Sequence, residues 1–268
     1  KKSADMGLPK ILIGARKRRA QKTASKIKVR EDKLVGASAE DLSEAIEAQK
    51  KERLLYFELP ETEFPSGKNL LQLQDFNFRY HGSGPSWLWN RNLNLSFNGP
   101  VRLAIQGANG RGKSTLLKIL LGINTGEGES QGRLAFAKSP TVYLDQNYGI
   151  LDPRKSVLEN VHESSKYDEI EIRNLLARFL FQKEQVYQEA ETLSGGERMR
   201  ASLAKALLSK NTPQILILDE PTNNLDLESI EFLEKILRKF QGALIVICHD
   251  EDFLKNIGCN QTLNLDSQ

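Results

Sequence analysis

Three short segments of this chain carry residue types at spacings suited to chemistry on an anionic substrate. Gly107-Ala-Asn109-Gly110-Arg-Gly112-Lys113-Ser114-Thr115 fits the pattern G-x-x-x-x-G-K-[ST], directly after an apolar strand pattern and before a helical one. Glycines so placed let the backbone curl until successive N–H groups face one anion, and the following helix adds the positive end of its dipole. In such a loop Lys113 reaches the β- and γ-phosphates of a nucleotide, and the Ser114 hydroxyl serves Mg²⁺. In the second segment, Ile215-Leu-Ile-Leu218 runs into Asp219-Glu220-Pro221-Thr222. Strand alternation predicts that the two adjacent carboxylates point to opposite faces. One can then serve a metal and the other a water: Asp219 holds Mg²⁺ and Glu220 polarises the attacking water. Alone, such a pair reads as a solvated strand terminus; a phosphate loop in the same chain gives it a chemical reading. The third segment, Leu193-Ser194-Gly195-Gly196-Glu197-Arg198, opens a helical run with two glycines and offers a second anion site.

The elements that position these segments read as alternating strands and helices. Leu71, Leu73, Phe76, Phe78 and Tyr80 roughly alternate, as do Leu93, Leu95 and Phe97. Val101–Gln106 is a short apolar strand running into the glycine loop. Helical patterns follow at 113–121, 155–161, 168–181, 195–209 and 227–239, with apolar strands at 140–145, 214–219 and 242–248. The expected fold class is α/β, with a mainly parallel core sheet, an antiparallel β flank and a helical subdomain around the third segment.

The chain has 268 residues, 39% hydrophobic and 27% charged, which is enough for a substantial core. Its longest apolar runs, such as Ala243–Cys248, fall far short of the roughly 20 residues a spanning helix needs. Two cysteines, Cys248 and Cys259, allow neither a disulfide framework nor a four-ligand zinc site. Lys1-Lys2-Ser-Ala-Asp5 begins no secretory h-region, so a reducing, cytoplasmic setting is expected; a first residue other than Met points to a fragment or processed product.

The net charge of +3 conceals an asymmetry. Residues 10 to 30 hold Lys10, Arg16, Lys17, Arg18, Arg19, Lys22, Lys26, Lys28 and Arg30 without one carboxylate. Such a block is either a solvated basic face or an arm for a nucleic-acid backbone. A helix is expected over 38–55, capped by Ser38 or Asp41, with its apolar stripe interrupted at Gln49 and Lys50. Pro60, Pro65 and Gly67 then punctuate a linker, which places the expected boundary at 67: a basic, partly helical linker at 1–66 and one folded domain at 67–268.

Taken in order, the segments resemble the ABC ATPase superfamily. The string Leu193–Arg198 is similar to its signature, Gln146 to the Q-loop residue, Asn224-Leu225-Asp226 to the D-loop and His249 to the switch histidine. Tyr80 lies where an adenine-stacking aromatic is expected, although Trp87 or Trp89 could take that place. The stretches Asp219–Glu234 and Gln241–Leu254 resemble the ABC-F family, apart from Asn224 where its pattern has His and Cys248 where it has Ser. The resemblance covers about residues 70 to 266 and implies ATP and Mg²⁺ as ligands. It implies catalytic roles for Glu220, His249 and Gln146, and metal contacts from Ser114, Gln146 and Asp219. Nucleotide contacts would come from Tyr80, Gly107, Asn109, Gly110, Gly112, Lys113, Ser114 and Thr115. Ser194, Gly195, Gly196 and Asp226 would complete the site of a facing domain. It further implies a second ABC domain on the same chain, or a second copy, as partner; ribosome or tRNA contact through the basic linker; and no membrane domain. The ATP-binding subunit of an ABC membrane transporter shares every motif from Gly107 to His249, but needs no basic arm before residue 67.

Overall fold

The computed structural model describes residues 62–82, 86–123 and 128–267. The basic segment at 10–30 and the helix expected over 38–55 lie outside the described residues. In chain order the elements are β1 (Asn69–Tyr80), β2 (Leu93–Asn98), β3 (Arg102–Gln106), α1 (Lys113–Leu120), β4 (Gly128–Phe136), β5 (Thr141–Leu144), α2 (Val157–His162), α3 (Glu169–Leu176), α4 (Gly195–Leu207), β6 (Ile215–Asp219), α5 (Leu227–Lys239), β7 (Ala243–Ile247), α6 (Glu251–Asn256) and β8 (Gln261–Asn264). The fold is α/β: a parallel sheet in the order β5-β6-β7-β3-β8, flanked by an antiparallel sheet in the order β2-β1-β4.

Strand alternation divides the interior into two cores. On one face, Leu103, Ile105, Ile215, Ile217, Ala243, Ile245 and Ile247 pack with α1 and the antiparallel sheet. On the other, Ala104, Leu216, Leu218, Leu244 and Val246 pack with α2 to α6. A strand covered on both faces reads as an unbroken apolar run, which is what β6 and β7 are. Thr62 and Phe64, N-terminal to the expected boundary at 67, belong to this body. Phe64 is buried with the first core, and Gln241 N–H donates to Thr62 Oγ1 at 3.3 Å.

The alternation in β1 breaks at a bulge. Asp75 has φ 48°, and the pairing with both neighbours slips between residues 73 and 77. That extra residue is why the buried series steps from Leu73 to Phe76. Opposite the bulge, Gly132 has φ +79°, and any Cβ there would clash with the Asp75 carbonyl oxygen.

Elsewhere the elements differ from their sequence patterns in identifiable ways. The pattern at 168–181 is a helix only to Leu176; a 3₁₀ turn at Ala177–Phe179 follows, and Leu180 is left-handed with φ 64°. β4 is polar up to Arg133, with Leu134 and Phe136 packing on the core only at its end, and β8 has a single apolar residue; both are held by their pairing with β1 and β3. α6 is a single short run after the cap at Asp250, whose side chain accepts from Phe253 N–H at 2.9 Å. Among the described residues no helix is long and apolar enough to cross a membrane.

Candidate active site

The glycine loop joins β3 to α1, so it sits at the C-terminal edge of the parallel sheet, where open α/β sheets bind ligands. Gly110 and Gly112 have φ +82° and +81°, conformations that L side chains rarely adopt. Gly112 is the N-cap of α1 and supplies no side-chain cap, so the first N–H groups of the helix are left to an anion. Lys113 is buried, and its ammonium donates to the Gly107 carbonyl at 2.5 Å and the Ala108 carbonyl at 3.2 Å.

Across from the loop is the end of β6. Asp219 Oδ2 accepts from Ser114 Oγ at 3.0 Å and from Tyr143 Oη at 3.1 Å. Its Oδ1 is buried with no hydrogen-bond partner among the described residues. Burial pushes the Asp219 carboxyl above its ordinary pKa; the two hydroxyl donors act the other way, and the Glu220 charge reinforces the rise. Burial, followed by the charge and hydrogen bond of Asp219, also pushes Tyr143 upward, so the phenol stays protonated and donates. A buried carboxylate oxygen lacking a partner, one residue contact away from the Ser114 hydroxyl and in the same cleft as Gln146, is a donor set suited to a hard divalent cation.

The expectation that Asp219 and Glu220 point to opposite faces is not met. β6 ends at Asp219, and Glu220 turns left-handed with φ 52°, while its N–H still donates to the Ile247 carbonyl at 2.9 Å. That backbone turn cancels the alternation, and both carboxylates line the same cleft. A left-handed glutamate is strained, and such outliers gather at functional sites. Glu220 Oε2 accepts from Asn223 Nδ2 at 3.1 Å. His249 Nε2 stands between opposite charges, 3.5 Å from Glu220 Oε1 and 3.3 Å from Lys113 Nζ.

One cleft of about 460 Å³ is lined by Tyr80, Leu88, Asn109, Gly110, Gly112, Lys113, Ser114, Thr115, Gln146, Asp219 and Glu220. Gly107 supports it from behind through its carbonyl. Of the three candidate aromatics only Tyr80 lines this cleft. Its ring meets Phe78 edge-on at 5.0 Å, and its hydroxyl lies 2.7 Å from Thr115 Oγ1. Trp89 is 2% exposed, packs beside Phe76 and donates its Nε1–H to the Arg111 carbonyl, so it offers no face to a base. Trp87 carries the Arg79 guanidinium over its ring at 4.9 Å.

Ser194, Gly195, Gly196 and Asp226 are not brought into that cleft. They form a separate corner. Ser194 caps α4 in a reciprocal pair with Glu197, and Asp226 caps α5 by accepting from Ser229 N–H at 2.9 Å. Gly196 lies so close to Ser229 that a Cβ would clash with its hydroxyl. Tyr143, Leu88 and Asn223 escaped the sequence reading. Tyr143 sits in an ordinary-looking strand, and nothing local ties it to Asp219, 76 residues away.

A glycine loop around a lysine, set between a parallel strand and a helix and facing an acidic strand end, defines a P-loop nucleotide-binding domain. The family model described as ABC transporter matches residues 90–223, half of the chain. The ATP-binding protein Uup of Buchnera aphidicola is 34% identical over 214 residues, 78% of this chain and 34% of that protein. Uup of Escherichia coli is 33% identical over 201 residues, 71% of this chain and 30% of that protein. ABC transporter F family member 5 of Arabidopsis thaliana is 34% identical over 196 residues, 72% of this chain and 27% of that protein. The chain belongs to the ABC ATPase family, in its ABC-F branch. It spans about a third of the length of these relatives.

Proposed function

We propose that this chain is the second ATP-binding and hydrolysing domain of an ABC-F protein, preceded by an interdomain linker that ends ahead of Thr62 rather than at 66, because Thr62 and Phe64 already pack with the ATPase domain. The observation that carries the reading is the division of labour between the two corners. Lys113, Ser114, Asp219, Glu220 and His249 converge, whereas Ser194–Gly196 do not line that cleft and lie beside Asn224 and Ser229. A site of this kind takes its phosphate loop from one domain and its signature from another.

In this reading the uncapped N–H groups of α1 and the Lys113 ammonium hold the phosphates, and Tyr80 stacks on adenine. Ser114, Gln146 and Asp219 hold Mg²⁺, which supplies charge neutralisation at the phosphates when bound. Glu220, fixed by Asn223 and by its left-handed backbone, accepts the proton of the attacking water. His249, beside both Glu220 and Lys113, orients the γ-phosphate end. Closure against a facing ABC domain brings in that domain's serine and glycines, and this coupling serves ribosome or tRNA binding through the basic linker.

A dilution series of ATP turnover tests the reading. An incomplete site predicts binding of Mg-ATP with weak hydrolysis that rises faster than linearly with protein, as copies pair head to tail. Turnover strictly proportional to concentration shows a site complete within one chain. The linker is tested by salt-titrated ribosome binding of the parent and of a variant with Arg16, Lys17, Arg18 and Arg19 replaced by Gln. Each neutralised phosphate adds a slope of about 0.7–0.9 log units of affinity per log unit of salt, so the variant shows a flatter dependence. Vesicle binding without ribosome binding refutes the translation role.

A further inference from the structure

The outer side of the phosphate loop is gripped by side chains that never enter the cleft. Asp266 lies just after β8, in a 3₁₀ turn at Leu265–Ser267 that ends the described chain. Its carboxylate accepts from Ala108 N–H at 3.0 and 3.1 Å, and its Oδ1 lies 3.1 Å from Arg111 Nε. Asp266 is itself positioned by a hydrogen bond from its own N–H to Asn264 Oδ1 at 2.8 Å. The turn is pressed against the loop: a Cβ on Gly107 would lie 3.3 Å from Leu265 Cβ and 3.6 Å from Asp266 N.

The peptide that Asp266 holds is the one that holds the lysine. A trans peptide sends its C=O and N–H in opposite directions. Of the unit joining Gly107 to Ala108, the N–H points outward to Asp266, and the carbonyl points inward and accepts from Lys113 Nζ at 2.5 Å. Gly107, at φ +147°, imposes no side-chain barrier on rotation of this plane. With the N–H released, the plane is free to turn and the lysine loses its inner anchor. The Asp266–Arg111 ion pair is exposed and adds little by itself; the charge-assisted bond to the backbone N–H is the stronger part.

We propose that Asp266 is a positioning residue of the phosphate loop: by fixing the Gly107–Ala108 peptide plane from outside it sets Lys113 for the nucleotide phosphates. The proposal rests on the ATP-binding reading of the cleft. Nothing in the loop motif encodes this contact, which joins residues 158 positions apart.

The experiment compares the 268-residue chain with Asp266→Ala and Asp266→Asn. Mg-ATP affinity is measured by calorimetry, and deuterium uptake is followed in peptides covering residues 105–112 without nucleotide. Loss of the bond predicts an affinity about fivefold weaker in Asp266→Ala and faster exchange at the loop. Asp266→Asn keeps an oxygen acceptor for Ala108 N–H while losing the charge toward Arg111, so it stays within about twofold of the parent in affinity and keeps its exchange protection. Unchanged affinity and unchanged exchange in Asp266→Ala overturn the proposal. So does an Asn variant that falls as far as the Ala variant, because that assigns the effect to charge or to general stability. A parent that binds no ATP refutes the nucleotide reading instead, and the exchange measurement then still decides whether Asp266 holds the loop.

Discussion

The phosphate loop and the signature turn are both glycine-rich junctions leading into a helix, and they treat the N–H groups of that helix in opposite ways. At α1 the N-cap is a left-handed glycine with no capping side chain. At α4 the N-cap is Ser194, whose hydroxyl accepts from Glu197 N–H while the Glu197 carboxylate accepts from Ser194 N–H. The hydrogen bonds from the Ser194 hydroxyl and backbone to Glu197 hold its carboxyl below the ordinary pKa. An uncapped helix start facing a buried lysine is finished by an anionic ligand. The capping pair satisfies the Glu197 and Ser194 N–H groups and leaves those of Gly195 and Gly196 at the helix start. Sequence alone grouped the two as anion sites; in the folded chain the first start is uncapped and lines the cleft, and the second carries a serine cap outside it.

Four substitutions test that contrast. The largest effect is expected from Glu220→Gln, where the amide keeps the shape but cannot take a proton. Hydrolysis falls by about 10²–10⁴-fold with ATP affinity within about twofold of the parent, measured by phosphate release and calorimetry. Parent-like turnover removes Glu220 as the base. Lys113→Ala acts on binding: ATP affinity drops by about 10- to 100-fold, the range for losing a charged hydrogen-bond donor.

Gly196→Ala should act at the other corner. The new Cβ meets Ser229 Oγ, which costs about 1–3 kcal/mol of overpacking on melting. ATP affinity stays at the parent value, and the steep concentration dependence of turnover is lost. Adding Ser229→Ala removes the clashing hydroxyl and restores part of the stability. If Gly196→Ala weakened ATP binding in dilute solution, the two corners would not be independent. The smallest effect is expected from Tyr143→Phe, which deletes one donor to Asp219 and shifts the Mg²⁺ concentration needed for half-maximal ATP binding by about fivefold.

Asp219 also leaves a signature in pH. Its carboxyl is raised in the folded chain, so the folded state holds the proton more tightly than the unfolded one. Ionising it therefore subtracts stability as pH rises from the unfolded value, about 3.9, through the raised folded value. Asp219→Asn removes that loss. Its melting temperature relative to the parent, both without nucleotide or Mg²⁺, should rise as pH increases from about 4 and level off once the raised pKa has been passed. A flat difference would place the carboxylate in a solvated setting, and one that falls with pH would mean that its hydroxyl donors and Lys113 outweigh burial.

Much of the central sheet was legible because β6 and β7 are buried on both faces and β3 nearly so, which leaves short apolar runs in the sequence. The loop motif was legible because its glycines and lysine act through local backbone geometry. β4 and β8 were not, because their pairing partners, rather than any period of their own, make them strands. Sequence placed Tyr80 ahead of Trp87 and Trp89 by position alone, without burial to decide among them. All three are aromatics close in sequence; the structure puts Tyr80 in the cleft lining, seals Trp89 against Phe76 and the Arg111 carbonyl, and sets Trp87 under the Arg79 guanidinium.

Residue order and spacing thus decide the elements whose forces are local: the turn at Gly110 and Gly112, the capping pair of Ser194 and Glu197, the apolar strand before Asp219. Contacts across the chain belong to the folded state. The swing of Glu220 into the cleft depends on its N–H reaching Ile247 on a neighbouring strand. The unpartnered oxygen of Asp219 depends on Tyr143 and Ser114 both taking the other one. The hold of Asp266 on the loop depends on β8 pairing with β3. Each joins residues separated by tens of positions or more, and no local propensity encodes a distance of that kind; it exists only once the sheet has brought its strand ends to one edge.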